Sequence, residues 1–448
     1  MLMELLDTID GYVWGLPMMI LLIGTGVWLT VRLHLIQVLK LGSALKLIFN
    51  SENQGQGDVD AFKALCTALA ATVGTGNIVG VATAVKTGGP GALFWMWIAA
   101  FFGMATKFAE CMLAVKYREI DSNGNISGGP MYYIKNGMGE KYKWLAAMFA
   151  LFGMLAGLLG IGTMTQVNSI TDIVNIATGA DPTMMGIVVA VCVGVITIGG
   201  LQSIANAASA IVPTMAVLYI LATVGLLVMF ADQVPHAINL VISNAFTGTA
   251  ATGGFLGSTI MLAMRSGVAR GIFSNESGLG SAPIVAAAAK TKWPAEQGLV
   301  SMTGTFIDTI IICTLTGLSL IVTGVWTGPL KGAAMTNQAF LSAYPEWGTY
   351  LLMLSLALFA FTTILGWSYY SERCCAYLFG TKGIMPFRIL FILAVASSPF
   401  LQLEEVWCLA DIFNGLMAFP NLVALLALSG VVVTETKAYY EHLQSLKK

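Results

Sequence analysis

Apolar residues occur in eleven long runs along the chain, and short polar loops separate one run from the next. A helix needs about 20 residues to cross a bilayer, and most of the runs reach that length. They lack the strict alternation of polar and apolar positions that a membrane β-barrel requires. We therefore predict an all-α membrane protein with eleven transmembrane helices. The runs cover approximately Leu16–Val31, Ala61–Val85, Gly91–Val115, Trp144–Ile176, Met184–Gly199, Ala207–Phe230, Gly254–Ala289, Gly298–Val325, Thr349–Phe379, Met385–Phe400 and Trp407–Val433.

Composition agrees with this class. Of the 448 residues, 57% are hydrophobic and 10% are charged, whereas a soluble domain carries about 25% charged residues. The net charge of −1 gives no indication of nucleic-acid binding. The seven cysteines lie in or beside apolar runs without a C-x-x-C spacing. That placement is typical of small buried side chains rather than of disulfides or a metal site.

Basic residues are concentrated in alternate loops, which predicts the orientation in the membrane. The opposite loops hold only Lys86 and Lys331. We expect a multi-pass protein of a prokaryotic cell membrane with its N-terminus outside, its C-terminus cytoplasmic and no cleavable signal peptide. The basic set is Arg32, Lys40, Lys46, Lys116, Arg118, Lys135, Lys141, Lys143, Lys290, Lys292, Lys382, Arg388, Lys437, Lys447 and Lys448.

The second run contains the weakest helical stretch, Gly74-Thr75-Gly76-Asn77. Each glycine inside a helix costs about 1 kcal/mol relative to alanine. Inside a membrane, backbone groups freed by a broken helix are tolerated only where protein, water or a ligand satisfies them. The stretch also contains the G-x-x-x-G pair of Gly76 and Gly80, which favours close packing of two helices. The residues alone leave both interpretations open.

The seventh run carries three charged residues among glycines, Arg265, Arg270 and Glu276. A charge at the centre of a membrane helix costs at least about 2.5–3.5 kcal/mol, so this stretch predicts a second break or a water-filled cavity. The alternative is that Arg270 and Glu276 neutralise each other. Two further buried charges call for partners. Lys107 can pair with Glu110, which lies three residues later. Asp308 can pair with Arg265 or Arg270, or Asp308 can tune cation coupling. Alternatively, Lys107, Arg270, Glu276 and Asp308 could together form a gate network.

The two breaks lie five runs apart, and this spacing predicts two five-helix repeats inserted in opposite directions. Interrupted helices at matching positions of two halves indicate the binding site of a secondary transporter. The predicted organisation is an extra N-terminal transmembrane helix with a cytoplasmic loop (1–60), a first repeat (61–232), an external connection (233–253), a second repeat (254–433) and a cytoplasmic tail (434–448).

Several motifs resemble the alanine or glycine:cation symporter family of bacteria and archaea. The likeness covers nearly the whole chain and implies the leucine-transporter fold, with sodium-driven uptake of alanine or glycine. Which of the two is preferred stays open. The motifs are the 74–77 break, Gly88-Gly89-Pro90-Gly91-Ala92-Leu93-Phe94-Trp95-Met96-Trp97, Gly128-Gly129-Pro130-Met131-Tyr132-Tyr133 and Arg270-Gly271-Ile272-Phe273-Ser274-Asn275-Glu276.

The resemblance also implies a substrate site. Backbone N–H groups of Gly74 to Asn77 would bind the carboxylate, and carbonyls at the second break would accept from the ammonium group. Phe273 and Trp367 would form a tight apolar wall around a small side chain. Gln166 could bind substrate or make an interhelical hydrogen bond, and Trp367 could simply pack. The implied set is Gly74, Thr75, Gly76, Asn77, Gln166, Phe273, Ser274, Asn275, Thr363 and Trp367.

Sodium is the implied co-transported ion, bound by hard oxygen ligands. The fold's sodium position would use carbonyls of Ala70, Val73 and Phe359 and hydroxyls of Thr362 and Thr363. No lysine or arginine lies within Ala70–Val73 or Phe359–Thr363, so no basic side chain replaces the ion there. A second ion beside Thr72, Asn77 and Ser274 is a weaker alternative.

Other functions fit the sequence less well. The three histidines lie in loops or the tail and no H-E-x-x-H or G-x-S-x-G occurs, so an intramembrane enzyme is not expected. A channel would not need two broken helices in inverted halves. The nearest alternative is a proton-coupled amino-acid transporter that uses Glu276 or Asp308. We expect a small amino acid and the lipid bilayer as partners, with no nucleic acid and no obligatory protein partner.

Overall fold

A computed structural model describes residues 2–50, 55–247, 256–401 and 403–446. Most of these residues are helical, and two short strands, β1 (Glu119–Ile120) and β2 (Ile126–Ser127), pair antiparallel. The α-helices in chain order are α1 Leu2–Val13, α2 Leu16–Arg32, α3 Ile36–Leu39, α4 Leu41–Asn50, α5 Ala61–Thr72, α6 Val81–Gly88, α7 Gly91–Lys116, α8 Pro130–Tyr133, α9 Lys143–Leu159, α10 Met164–Thr178, α11 Pro182–Thr197, α12 Gly200–Met229, α13 Val234–Thr247, α14 Leu256–Asn275, α15 Ala282–Ala286, α16 Pro294–Thr305, α17 Thr314–Val322, α18 Gly332–Ala343, α19 Gly348–Phe379, α20 Ile384–Ser397, α21 Leu403–Ala427 and α22 Ser429–Ser445.

Three π-helical turns and five 3₁₀ turns complete these elements among the described residues. The π turns are Gly76–Gly80, Ile134–Met138 and Phe306–Cys313, and the 3₁₀ turns are Glu140–Tyr142, Ala231–Gln233, Val325–Thr327, Thr381–Gly383 and Ser398–Phe400. The π turns Gly76–Gly80 and Phe306–Cys313 contain the candidate site residues Asn77 and Asp308, and π turns often occur at functional sites.

The polytopic helical architecture is confirmed. By length and composition, the described residues contain eight helices that could cross a membrane, or nine if the bent pair Ala61–Thr72 and Gly76–Gly88 is one span. The helix Pro182–Thr197 is apolar but shorter. The count of eleven crossings, the repeat boundaries and the inverted relation between the halves stay predictions.

The fourth apolar run is not one helix as the sequence predicts. It divides into α9 and α10, and residues 160–163 form a turn between them. Gly162 has a physical reason to be glycine, because a Cβ there would lie 2.7 Å from the Cβ of Trp367 and 2.6 Å from the Gly157 carbonyl. The turn brings the first residues of α10 against α19.

The chain also differs from prediction at its connections. The N-terminal element is two helices, with α1 preceding the expected crossing, α2. The first part of the external connection is helical as α13, and residues 248–253 of that connection lie outside the described residues. Most of the predicted tail is helical within α22, and Lys447 and Lys448 lie outside the described residues.

The core is continuous apolar packing around α7, of which the second half is buried on every side. Asp60 and Asp181 begin two of the surrounding helices as N-caps, accepting from the N–H groups of Lys63 at 2.7 Å and Met184 at 2.9 Å. Helices α14 and α16 pack directly against α7, and α5 packs against α16 and α19. Their arrangement brings the two predicted breaks into contact.

Candidate substrate and ion site

The first break lies between α5 and α6, where the chain bends by 49°. Helix α5 ends at Thr72, and the N–H of Gly74 donates to the side-chain oxygen of Asn77 at 2.8 Å. The N–H of Asn77 donates to the Gly74 carbonyl at 3.2 Å. In a continuous helix these two N–H groups would bond the carbonyls of Ala70 and Val73. Both carbonyls are therefore released from helical pairing.

Close approach explains the two glycines of the break. A Cβ on Gly74 would overlap the hydroxyl of Thr363, and a Cβ on Gly76 would lie 3.0 Å from the Cα of Ser274. At Gly80 no atom of another element lies within 4 Å of the Cβ position. The packing interpretation of the G-x-x-x-G pair is therefore wrong at its second glycine. The first glycine serves the contact between the breaks.

The predicted sodium ligands lie on both sides of this contact. Ala70, Val73, Phe359, Thr362 and Thr363 are all at most 1% exposed. The Thr363 hydroxyl donates to the Phe359 carbonyl at 3.0 Å, and the Thr362 hydroxyl lies 3.0 Å from the Leu358 carbonyl and 3.1 Å from the Phe359 carbonyl. Such back-bonding is ordinary for threonine in helices, and it leaves the hydroxyl lone pairs free to bind a cation.

Gln166 faces the first break from α10. Its side-chain oxygen accepts from the Thr75 N–H at 3.4 Å, and its amide group donates to the Ile161 carbonyl at 3.0 Å. The Thr75 hydroxyl is fully buried and has no hydrogen-bond partner among the described residues. An unsatisfied buried hydroxyl is costly, so a polar ligand at this position would stabilise the site.

Asp308 connects the two breaks. It lies in the π turn Phe306–Cys313 and is fully buried. Its carboxylate accepts from the Asn77 amide at 2.7 Å, the Ser274 hydroxyl at 2.9 Å and the Thr309 hydroxyl at 2.7 Å. The expected pairing of Asp308 with Arg265 or Arg270 is wrong, because its hydrogen-bond donors are neutral groups. Asn275 supports Thr309 from the second break at 3.0 Å.

The second break spans 276–281, slightly later than the resemblance implies. Helix α14 continues through Phe273 and Ser274 to Asn275, and Glu276 then takes a positive φ of 55°. The last turn of a helix leaves carbonyls without helical donors, so the predicted carbonyl acceptors at Phe273 and Ser274 stay available. Glycines 278 and 280 adopt the positive φ values that continue the break.

Glu276 closes the second break onto α19. One carboxylate oxygen accepts from the Trp367 indole at 2.7 Å and the other from the Ser281 hydroxyl at 2.5 Å. The alternative pairing with Arg270 is therefore wrong. The ring of Phe273 packs against Trp407 with centroids 5.3 Å apart, and a shared wall of Phe273 and Trp367 around the substrate stays a prediction.

Arg270 pairs with Asp411 on α21, with two hydrogen bonds of 3.0 and 2.6 Å. Its guanidinium also lies over the rings of Phe273 and Trp407, at 5.5 and 5.6 Å. This pair lines a cavity of about 620 Å³, which we call the vestibule. The vestibule is lined by Met3, Asp7, Asp10, Val79, Thr83, Ser169, Asp172, Asn175, Ile176, Pro182, Arg270, Lys331, Gly332, Ala333, Ala334, Trp407, Cys408 and Asp411.

The four residues of the predicted gate network do not contact one another directly among the described residues. Arg270, Glu276 and Asp308 have the partners given above. Lys107 pairs with Glu110 at 3.6 Å, as the sequence predicts. Glu110 in turn accepts from the Asn421 amide at 3.0 Å. A gating role for any of the four stays a prediction.

A second charged cluster lines a second cavity of about 420 Å³. The two cavities lie at opposite ends of α11, because Pro182 at its start lines the vestibule and Gly199, just after its end, lines the second cavity. Arg373 pairs with Glu372 at 2.7 Å and with Asp121 at 3.1 Å. Arg388 pairs with Glu372 at 2.5 Å. Sequence reasoning missed this cluster, although Glu372 and Arg373 interrupt the ninth apolar run just as Arg270 interrupts the seventh.

Backbone pairing joins residues 55–59, before the first broken helix, to residues 287–291, after the second. We call this contact the backbone latch. The N–H groups of Asp58 and Val59 donate to the Ala288 carbonyl at 2.8 and 3.2 Å. The Lys290 N–H donates to the Val59 carbonyl at 2.8 Å.

Arg118 holds both strands of the latch. Its guanidinium donates to the carbonyls of Gln56 at 2.7 Å, Ala287 at 2.8 Å and Ala289 at 2.9 Å. A Cβ on Gly57 would collide with the backbone of residues 289 and 290. The latch thus fixes the start of the first broken helix against the end of the second.

Two broken helices in contact, with released carbonyls and buried polar groups between them, define a secondary transporter. The model of the sodium:alanine symporter family matches residues 1–448. The chain therefore belongs to the sodium:alanine symporter family, which consists of sodium-coupled transporters rather than enzymes, and the resemblance seen in the sequence is confirmed.

Named relatives agree with this membership. The chain is 54% identical to an uncharacterized transporter of Haemophilus influenzae, covering 98% of this chain and 97% of the relative. It is 50% identical to the sodium/alanine symporter AgcS of Methanococcus maripaludis, with the same coverage of 98% and 97%. It is 36% identical to the probable sodium/glutamine symporter GlnT of Bacillus subtilis, covering 96% and 89%.

Solved structures support the fold. The chain matches MhsT in complex with L-phenylalanine with a TM-score of 0.59 at 12% identity, covering 86% of this chain and 99% of that chain. It matches an Eremococcus coleocola manganese transporter with a TM-score of 0.57 at 13% identity, covering 86% and 88%. The neighbours share the leucine-transporter fold, which confirms that part of the prediction.

Proposed function

We propose that the protein couples the inward movement of sodium to uptake of a small neutral amino acid, alanine or glycine, by alternating access. The observation that carries the proposal is the redirection of two N–H groups at the first break. It releases the Ala70 and Val73 carbonyls from helical pairing, next to Gly74, which packs against the Thr363 hydroxyl. Several converging neutral oxygens suit a hard monovalent cation.

A small substrate fits the same region. The Thr75 hydroxyl is the donor offered to a carboxylate, because the N–H groups of Gly74, Thr75 and Asn77, which were expected to bind it, already donate to Asn77, Gln166 and Gly74. Last-turn carbonyls of α14 are acceptors for an ammonium group. Gln166, Thr363 and Ser274 crowd the space between the breaks. This crowding favours alanine or glycine over the larger glutamine named for one relative.

Two closures on opposite sides of the site support alternating access. The Arg270–Asp411 pair separates the site from the vestibule, and the backbone latch with the Arg373 cluster closes the other end. Of the basic residues predicted in cytoplasmic loops, Arg118 lies at the latch and Arg388 in the Arg373 cluster, whereas Lys331, predicted outside, lines the vestibule. Because basic residues favour the cytoplasmic side, the vestibule opens to the outside in this proposal.

The test is uptake of labelled alanine into proteoliposomes of the purified protein, with an inward sodium gradient compared with potassium. We expect accumulation that requires sodium and that excess alanine or glycine abolishes, but leucine does not. Competition by glutamine would widen the substrate class. Uptake driven by an acid exterior without sodium would replace the proposal by the proton-coupled alternative, and uptake under neither gradient would refute it.

Thr363→Val keeps the shape of the side chain and removes its hydroxyl from the cation ligands. We expect the half-saturating sodium concentration to rise about 10-fold, as for loss of one ligand worth roughly 1.4 kcal/mol. Ser355→Ala, two turns earlier on α19, removes a hydroxyl that donates to the Leu351 carbonyl and should leave the sodium dependence unchanged. Equal sodium dependence of both variants would remove Thr363 from the ion site.

Gln166→Ala should raise the half-saturating alanine concentration about 10-fold, because the first break loses the side chain that faces it. The sodium requirement should change much less. Gln297→Ala, which removes a buried amide on α16 that donates to the Ser301 hydroxyl at 3.2 Å, serves as the control. If alanine dependence is unchanged in Gln166→Ala, this residue acts only between helices.

A further inference from the structure

The end of the N-terminal helix α1 contacts the acidic partner of the vestibule ion pair. Trp14 follows α1 directly and is 3% exposed. Its indole N–H donates to the backbone carbonyl of Asp411 at 2.8 Å. The same Asp411 pairs with Arg270 through its side chain. One residue is therefore held from both sides, by α1 through its backbone and by α14 through its carboxylate.

The surface of α21 is shaped for this contact. A Cβ on Gly415, one turn after Asp411, would overlap Val13 and lie 3.2 Å from the Trp14 indole nitrogen. A second contact begins one turn before Asp411, where Leu6 packs with Cys408 and Ile412. The whole length of α1 thus follows the segment of α21 that carries Asp411.

Asp10 extends the contact towards the arginine. It lines the vestibule and also a cavity of about 220 Å³ that Arg265 and Arg270 share. One of its carboxylate oxygens is buried without a hydrogen-bond partner among the described residues. A guanidinium that leaves its carboxylate inside a protein incurs a large desolvation penalty, and Asp10 is a second carboxylate within the same cavity.

We propose that α1 takes part in opening and closing the Arg270–Asp411 pair between the site and the vestibule. Trp14 is a positioning residue that sets Asp411 for its pairing with Arg270, and Asp10 accepts Arg270 when that pair opens. This inference rests on the proposed function. It goes beyond it by giving the N-terminal helix, which lies outside the two predicted repeats, a role in the transport cycle.

Trp14→Phe removes the N–H donor and keeps an aromatic ring in the same space. Loss of one neutral hydrogen bond corresponds to a change of roughly 2- to 12-fold, and we expect the half-saturating alanine concentration to rise within that range. Trp28→Phe is the matched control, because its indole donates to Ser429 at 3.2 Å on the same N-terminal segment. Trp28→Phe should transport as the unmodified protein does.

Thiol labelling separates positioning from general stability. Cys408 is buried under α1 at the wall of the vestibule. Cys192 is an exposed thiol, so Cys192→Ser is introduced into each variant before labelling. Sodium with alanine should protect Cys408 from an impermeant maleimide, and Trp14→Phe should weaken this protection by a similar factor of roughly 2 to 12. Labelling and alanine dependence both equal to the Trp28→Phe control would overturn the role of Trp14.

Asp10→Asn tests the second part. We expect the maximal uptake rate to fall roughly 2- to 5-fold, the range of a partly exposed ion pair, with an unchanged half-saturating alanine concentration. Asp7→Asn, one turn earlier in the vestibule wall, is the control. Equal rates in the two variants would remove Asp10 from the inference. Absence of sodium-driven uptake in the unmodified protein would instead refute the proposed function. The contact of α1 would then still be tested by maleimide labelling of Cys408 without substrate, in Trp14→Phe compared with Trp28→Phe.

Discussion

Replacing Asp308 by Asn is expected to reduce sodium-driven alanine uptake at least about 100-fold. Asn77 and Ser274 donate to its carboxylate from the two broken helices. A hydrogen bond to a charged group contributes about 1.5–3 kcal/mol. Asn keeps one acceptor oxygen, so one of the two bonds is lost and the other is no longer charge-assisted, and a combined loss of about 3 kcal/mol accounts for a factor of this size. The measurement is the initial rate of labelled alanine uptake in proteoliposomes at saturating sodium.

The matched control is Asp172→Asn, an aspartate that lies in the vestibule wall and is exposed. It should keep most of the uptake. Size-exclusion chromatography and thermal unfolding in detergent establish whether Asp308→Asn is folded. A folded Asp308→Asn protein with uptake close to that of the control would contradict the role of Asp308 in joining the breaks.

Gly74→Ala is expected to abolish sodium-dependent uptake. The added methyl group would occupy the space of the Thr363 hydroxyl, so α19 and the first break would move apart and the ion ligands would no longer converge. Overpacking of a buried contact costs about 1–3 kcal/mol, and the midpoint of thermal unfolding should fall as well. Uptake and unfolding are measured on the same preparation.

Gly80→Ala is the control within the same broken helix, because the Cβ position of Gly80 is free of contacts from other elements. It should behave as the unmodified protein does. The double variant Gly74→Ala/Thr363→Ala removes the collision and should recover thermal stability without recovering sodium dependence. Sodium-driven uptake by Gly74→Ala alone at the unmodified rate would show that the close approach is dispensable.

Local patterns were sufficient to predict the position of the first break and the region of the second. Gly74 and Gly76 mark the first because glycine weakens a helix wherever it occurs, and Arg270 with Glu276 mark the second because charge is costly in a membrane. The Lys107–Glu110 pair was predictable for a similar reason, since residues at i, i+3 share a helix face. Each of these inferences uses neighbours along the chain.

The partners of the buried charges were not predictable in the same way. Arg270 pairs with Asp411, which lies 141 residues later, and Asn77 bonds Asp308, which lies 231 residues later. Such contacts depend on how helices pack, and a single sequence contains no direct record of that packing. The turn between α9 and α10 was missed because Gly160 and Gly162 stand inside an otherwise uniform apolar run.

The backbone latch has a consequence for how this protein can vary. Its N–H and C=O groups belong to the main chain, so most side-chain replacements along 55–59 and 287–291 would leave the pairing intact. Gly55 and Gly57 are exceptions, because a Cβ at either position would collide with the backbone of the opposite segment. The vestibule closure, in contrast, depends on the particular side chains of Arg270 and Asp411. Outside the glycines and Arg118, which holds the latch through its side chain, substitutions should be tolerated at more positions of the latch than at the vestibule closure.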